Sequence, residues 1–278
     1  MSRTPMPRAA AVLAAIAATA LTLAACSGGG PGGASGGAAD TSKLVIAVDS
    51  DQAAFGYDPI RYGNGQRMFF EGIYDSLFVL DADGEVKPQL ATKFEYNADQ
   101  TQLTLDLDTS ATFADGSTLT AELVKENLDF RGDPDLSAYS SFAEGGQNEI
   151  SDVTVVDDDT VTLTFTMPKP GFEANLVLPT GAIVGPAGVA DRGSLAATPD
   201  GSGPLTINGG ATVKGNSYLI TKKEDDKRAA DYAFDSYEFR PILDPQARVN
   251  AVISGEVDLA LITSDTQQQV KSAGIGLT

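Results

Sequence analysis

The sequence predicts a mixed α/β fold, and three patterns carry that reading. A strand–helix–strand unit runs through residues 237–262. Two hairpins with alternating apolar residues fall at 77–90 and 153–165, and a continuous apolar run opens the folded part at 44–48. Alternation marks half-buried antiparallel strands, continuous apolar runs mark strands covered on both faces, and the two together give a chain of mixed type.

Leu44-Val45-Ile46-Ala47-Val48, stopped by Asp49 and Ser50, reads as a buried strand. It leads into a loop over residues 49–65 carrying Phe55, Tyr57 and Tyr62. Residues 66–75 read as a short helix with Met68, Phe69, Ile73 and Tyr74 turned inward. The polar turn Asp81-Ala82-Asp83-Gly84 joins 77–80 to 86–90 as a hairpin. Leu103, Leu105 and Leu107 alternate with Thr104 and Asp106, and a turn at Ala114-Asp115-Gly116 precedes a helix capped by Thr120. Val153, Val155, Val161, Leu163 and Phe165 alternate around Asp157-Asp158-Asp159 as a second hairpin.

Beyond a Pro/Gly-rich connection at 167–188, Gly201-Ser202-Gly203-Pro204 introduces strands at 205–207 and 218–221, and another follows at 237–243. Asp244-Pro245 opens a helix, the acid as N-cap and the proline where its missing N–H does no harm. Gly255 closes it, Val249, Val252 and Ile253 form its inner face, and 257–262 returns as a buried strand.

The amino terminus has a different character. Arg3 and Arg8 precede an alanine- and leucine-rich stretch at 9–25, a charged region followed by an apolar one of signal-peptide type. It ends in Leu23-Ala24-Ala25-Cys26, similar to a bacterial lipobox, in which small residues suit the peptidase and the cysteine thiol takes a diacylglycerol. The blander alternative is an ordinary signal peptide or buried helix with Cys26 a stray thiol. Residues 27–37 are almost entirely glycine, serine, proline and alanine, a flexible tether that suits a domain held off a membrane surface.

Composition narrows the chemistry. The chain is 42% hydrophobic and 21% charged, a globular balance, with a formal charge of −19. Loss of Arg3 and Arg8 with the leader would take it to about −21, which makes nucleic acid and acidic membrane surfaces poor partners. There is no histidine, and Cys26 is the one cysteine. Ser-His-Asp and Cys-His catalytic sites, His/Cys zinc sites and an internal disulfide are therefore excluded for this chain.

No catalytic residue, metal ligand or cofactor is assigned from the sequence. Asp81-Ala82-Asp83-Gly84-Glu85 lacks the glycine position and the twelfth-position glutamate of a calcium loop, and reads as a solvated turn. Gly201-Ser202-Gly203 lacks both the third glycine of a dinucleotide loop and the lysine of a phosphate loop.

Four blocks, taken in order, resemble a known family. They are Glu71-Gly72-Ile73-Tyr74-Asp75-Ser76-Leu77 with Pro88 and Leu90-Ala91; Phe113-Ala114-Asp115-Gly116 with Leu119-Thr120-Ala121-Glu122; Gly201-Ser202-Gly203-Pro204; and Phe239-Arg240-Pro241-Ile242 with Asp244, Arg248 and Ser254-Gly255-Glu256-Val257-Asp258. This order resembles the family 5 extracellular solute-binding proteins, receptors of peptide- and nickel-type ABC importers. Phe94, Asp108 and Ala114 stand where that family usually has tryptophan, arginine and histidine.

The resemblance implies a type II periplasmic-binding-protein-like fold with only one lobe encoded. It places a signal peptide at 1–25, a lipidated Cys26 and linker at 26–42, domain I at 43–58 and 198–278, and a β-hairpin-rich inserted domain II at 59–197. A third domain and a closing segment of domain I, which the family carries, are expected to be missing. It further implies a small-molecule or peptide ligand, a permease and an ATPase as partners, and an extracytoplasmic position on the lipid of Cys26. Phe55, Tyr57 and Asp58 are expected to line the ligand cleft, although loop aromatics more commonly pin a loop to the core. The alternatives are an inactive or partner-dependent fragment of such a receptor, and an acidic hydrolase working through paired carboxylates without histidine.

Replacing Cys26 with serine is expected to move the protein from the detergent phase to the aqueous phase in Triton X-114 partitioning and to remove the diacylglycerol from its intact mass, because the acyl chains supply the membrane affinity. Unchanged partitioning and mass would rule out the anchor.

Overall fold

The computed structural model describes residues 42–131, 143–144 and 147–277. The leader, the lipobox, Cys26 and nearly all of the linker lie outside the described residues. In chain order the elements are β1 (Lys43–Val48), α1 (Arg67–Phe70), β2 (Phe78–Leu80), β3 (Val86–Pro88), β4 (Ala91–Tyr96), β5 (Gln102–Leu107), α2 (Ala121–Phe130), β6 (Ala143–Glu144), β7 (Gln147–Asn148), β8 (Ile150–Asp157) and β9 (Thr160–Phe165). They continue with α3 (Pro186–Ala190), β10 (Leu205–Ile207), β11 (Tyr218–Lys222), β12 (Ser236–Pro241), α4 (Pro245–Ser254), β13 (Leu259–Ala260) and α5 (Gln267–Ser272).

One sheet runs β10-β11-β12-β1-β13. Central β1 pairs in parallel with β12 and β13, and β10 and β11 extend the sheet in antiparallel sense. The apolar run of β1 is buried on both faces, as a parallel strand between layers must be. Val45 and Ala47 meet Ala251 and Val257 around α4, while Ile46 and Val48 face a core rich in aromatic rings. In that core Phe69 sits edge-on to Phe70, Tyr218 and Phe239, with ring centroids 5.2, 5.4 and 5.3 Å away, so α1 is fastened to the sheet through one side chain.

The second sheet, β4-β5-β9-β8, is antiparallel throughout. Leu103, Leu105 and Leu107 of β5 and Val161, Leu163 and Phe165 of β9 point into a core closed by Leu123, Val124 and Leu128 of α2. The Thr120 hydroxyl caps α2 by accepting the Leu123 N–H at 3.2 Å. Asp244 accepts the Ala247 N–H at 2.7 Å to open α4, and Gly255 at φ +75° closes it.

Three expectations from the sequence are corrected. The helix placed at 66–75 is only α1, because Gly72 at φ +84° turns the chain. Ile253 is 39% exposed, and the buried face of α4 is Arg248, Val249 and Ala251. Arg248 points inward because its guanidinium donates to the carbonyls of Leu261 at 2.7 Å, Ile242 at 2.6 Å and Leu243 at 3.0 Å. The strand at 257–262 shortens to β13, which pairs with β1 only at Ile46 and Ala47 and leaves Leu261 36% exposed.

The two sheets are joined where the turn at 201–204 lies on 72–73. Gly203 N–H donates to Ile73 O at 3.1 Å and Leu205 N–H to Gly72 O at 2.7 Å. Beside this contact the buried Asp75 accepts from Ser202 Oγ, Arg228 Nη1 and Gln89 Nε2 at 2.9, 2.9 and 3.0 Å. Arg131 is fully buried and donates to the carbonyls of Asn127, Thr180 and Ala182. Burial, with the nearby charge of Arg192, brings its pKa down to about 9, so it stays cationic at neutral pH.

A Cβ at Gly203 would lie 2.2 Å from Gly72 O, whereas one at Gly65 would meet nothing within 4 Å. Gly203→Ala is therefore expected to lower the melting temperature by several degrees, about 2–4 °C for each kcal/mol. Gly65→Ala is expected to leave it within about 2 °C, and equal effects in calorimetry would refute the close approach.

Glu238, 8% exposed, has Lys43 at 2.6 Å, Arg240 at 2.7 Å and Ser217 at 3.1 Å. Burial pushes its pKa up, but these partners outweigh it and hold the carboxyl at about 2. A depressed folded-state pKa gives stability that is full above the ordinary value of 4.5 and lost as pH falls toward about 2. Glu238→Gln is expected to flatten the acid limb of the stability profile in that window, and a wild-type limb in denaturant titrations would count against it.

Candidate functional site

In an open α/β sheet, ligands sit outside the carboxyl ends of parallel strands. Here those ends are Val48, Pro241 and Ala260, and the loop at 49–65 rises from the first of them. Tyr218 OH donates to Asp51, and its own oxygen accepts the Gly215 N–H at 2.9 Å. Burial, with the Asp51 carboxylate beside it, raises the Tyr218 pKa well above the phenol range, so this donor stays protonated. Gln66 Nε2 reaches Ser50 Oγ at 3.1 Å, and Gln52 Nε2 reaches Ser50 O at 2.9 Å. The loop is thereby tied down at both ends.

Its three predicted site residues go to different places. Phe55 is 69% exposed, with its N–H donating to Tyr62 OH at 2.7 Å and its ring 5.9 Å from that of Tyr62. Tyr57 is 1% exposed, its ring 6.5 Å from Phe69, with Lys214 Nζ 5.7 Å above it. Asp58 is also 1% exposed, held by Arg192 Nε at 3.2 Å and Arg61 Nε at 3.5 Å. The Arg192 guanidinium in turn stacks 3.8 Å from the Phe130 ring. Only Phe55 of the three presents surface to solvent, and Tyr57 and Asp58 serve the core.

A groove of about 910 Å³ lies next to this loop. It is lined by Asn64, Gly65, Arg67, Met68 and Glu71, by β13 with Leu261, Ile262 and Val270, and by the hairpin residues Leu80 and Val86. Met68, Glu71 and Leu178 also border a second cavity of about 640 Å³ on the face of the sheet that carries Ile46, Ile220 and Phe239. Phe55, Tyr57 and Asp58 do not line the groove.

Glu71 is half-buried. Burial raises its pKa, and the positive charge of Arg67 pulls it back. Neither is among the site residues expected from the sequence, where Glu71 figures only in the first family block. The available signal was two charges four apart flanking buried Phe69 and Phe70, a charged face opposite a core face. Among the described residues no group of three or more Asp, Glu, His or Cys side chains comes together as a metal-binding set, and no helix is long and apolar enough to cross a membrane.

A centrally placed β1 between parallel neighbours, joined to an antiparallel sheet and bordered by a groove, defines a periplasmic binding protein fold of type II. Solved structures of that class agree. AgaA from A. tumefaciens R10, in complex with agropinic acid, superposes with a TM-score of 0.69 at 26% identity, covering 83% of this chain and 46% of that one. DppA from Helicobacter pylori, in complex with the peptide STSA, gives 0.65 at 21% identity, covering 83% and 49%. NikZ from Campylobacter jejuni, in complex with Ni(L-His), gives 0.68 at 20% identity, covering 83% and 45%.

The chain belongs to the family described as bacterial extracellular solute-binding proteins, family 5, whose middle-region model matches residues 85–276. Its members bind solutes and are not enzymes, which sets aside the carboxylate hydrolase. Among curated relatives, the glutathione-binding protein GsiB of Pectobacterium atrosepticum is 30% identical over 196 residues, 68% of this chain and 36% of the relative. GsiB of Escherichia coli K12 is 28% identical over 199 residues, with the same shares. The chain thus spans about a third of the length of these curated relatives and just under half of the solved structures.

Proposed function

We propose that the chain recognises a small solute, a peptide or peptide-like molecule, for an ABC-type importer, and presents it to a permease driven by an ATPase. The observation that carries this reading is the groove of about 910 Å³ lined by β13 and by residues 64–71, in a family of solute receptors. The relatives' own ligands, glutathione, a tetrapeptide and agropinic acid, are polar organic solutes carrying carboxylates. The division proposed is domain I at 43–58 and 198–278 and domain II at 59–197, with the core of the first sheet also drawing in Tyr62, Phe69, Phe70, Leu178 and Val184 from the second stretch. In this reading the two form one lobe, which binds by closing against further structure. A diacylglycerol on Cys26, following Leu23-Ala24-Ala25, would hold that lobe on the outer face of the membrane, with Phe55 at the rim of the loop.

A ligand that binds only the folded chain stabilises it by about 2.7 kcal/mol at 100 times its dissociation constant. A mixture of di- to hexapeptides, with glutathione and nickel–histidine as separate arms, is therefore expected to raise the melting temperature in a concentration-dependent way, on the order of 5–10 °C at saturation for at least one arm. A cooperative transition that none of the arms moves would sink the reading.

A further inference from the structure

The chain contains two Asn-Gly steps, Asn64-Gly65 and Asn208-Gly209, and both are exposed. Such a step is chemically labile, because a glycine nitrogen with no Cβ beside it can approach the asparagine Cγ. Attack forms the bond between the glycine nitrogen and Cγ, and the side-chain nitrogen leaves as ammonia with the proton that the glycine N–H gives up. Water then opens the resulting succinimide at one of its two carbonyls, to aspartate or to isoaspartate. The two steps are alike in sequence and differ in their hydrogen bonds.

Asn208 is held by its backbone and its side chain. Its N–H donates to Leu219 O at 2.8 Å, its carbonyl accepts the N–H groups of Ala211 at 3.2 Å and Thr212 at 3.0 Å, and its Oδ1 accepts from Ala211 at 3.2 Å. Turning its Cγ toward Gly209 N breaks the carbonyl and side-chain bonds together. Asn64 instead opens a single 3₁₀ turn, Asn64–Gln66, in which its carbonyl accepts the Arg67 N–H. Among the described residues, neither its side-chain amide nor the Gly65 N–H is hydrogen-bonded. A turn of this kind has poorer hydrogen-bond geometry than an α-helix and opens locally at low cost. A Cβ at Gly65 would meet nothing within 4 Å, so the space around the attacking nitrogen is open.

From this contrast we infer that Asn64 is the preferred site of spontaneous deamidation in the chain. Asn64 lines the groove of about 910 Å³, three residues before Arg67. The conversion therefore replaces a neutral amide on that lining with a carboxylate, and the isoaspartate product adds a methylene to the backbone that leads into α1. An aged molecule carries a groove of different charge and shape from a fresh one.

The test is a timed incubation of the full chain in mildly alkaline water enriched in heavy oxygen, followed by peptide mapping. Hydrolysis of the succinimide writes a heavy oxygen into each converted site, and electron-transfer fragmentation separates aspartate from isoaspartate. Asn64 is expected to convert at least about tenfold faster than Asn208, the factor for opening one hydrogen bond against three. Gly65→Ala is expected to keep the wild-type melting temperature and to lose most of the label at Asn64. A free peptide of residues 60–69, incubated alongside, sets the rate without the fold. Asn208 converting as fast as Asn64 overturns the inference, as does an Asn64 still unlabelled once the free peptide has converted, or one whose rate Gly65→Ala leaves unchanged.

Discussion

At residues 201–205 the chain returns to residues 72–75 after more than a hundred positions, and the backbones come so close that only glycine fits. Leu205 N–H to Gly72 O at 2.7 Å and Gly203 N–H to Ile73 O at 3.1 Å are the bonds of that contact, and Asp75 with Ser202 and Arg228 seals it. The long loop so closed contains the antiparallel sheet and α2, and closing it costs entropy that these contacts must offset. Everything that positions the groove follows. The same turn starts β10, at the edge of the first sheet opposite β13, and residues 72–75 follow directly from α1 and Glu71, so the sheet and α1 meet at one fixed point.

Legibility in the sequence tracks how local the cause is. The strands β5 and β9 read directly because a sheet with one buried face imposes alternation on Leu103, Leu105, Val161 and Leu163. The ends of α2 and α4 read directly because Thr120, Asp244, Pro245 and Gly255 act within one turn of themselves. The early end of α1 does not, since Gly72 is forced to positive φ beside Leu205 and Tyr232, both far along the chain. Ile253 went astray because Arg248, a charged residue, takes the inward position on α4 to satisfy carbonyls beyond both ends of the helix.

The site was less legible than the fold for the same reason. Asp58 looks like a loop acid open to ligand until Arg192, 134 residues away, is placed 3.2 Å from it. Tyr57 is drawn down between Phe69 and Lys214. The groove itself is assembled from four separate stretches of chain, around 64–71, 80–86, 174–180 and 252–277, and no window of sequence contains it. What a window does contain is the pair Arg67 and Glu71, whose charges stand out only against the burial of Phe69 and Phe70 between them.

Arg248 has a mechanical consequence. One guanidinium, 3% exposed, holds Ile242 and Leu243 beyond β12 and Leu261 beyond β13, with its own backbone in α4. Displacing any one of these carbonyls alone would strip a bond to a buried cation, a loss of about 1.5–3 kcal/mol. The two strand ends and the helix are thereby coupled through one side chain. In the proposed reading, a solute resting against Leu261 would press on a carbonyl that shares its guanidinium with Ile242 and Leu243, so its contact would be felt at both strand ends.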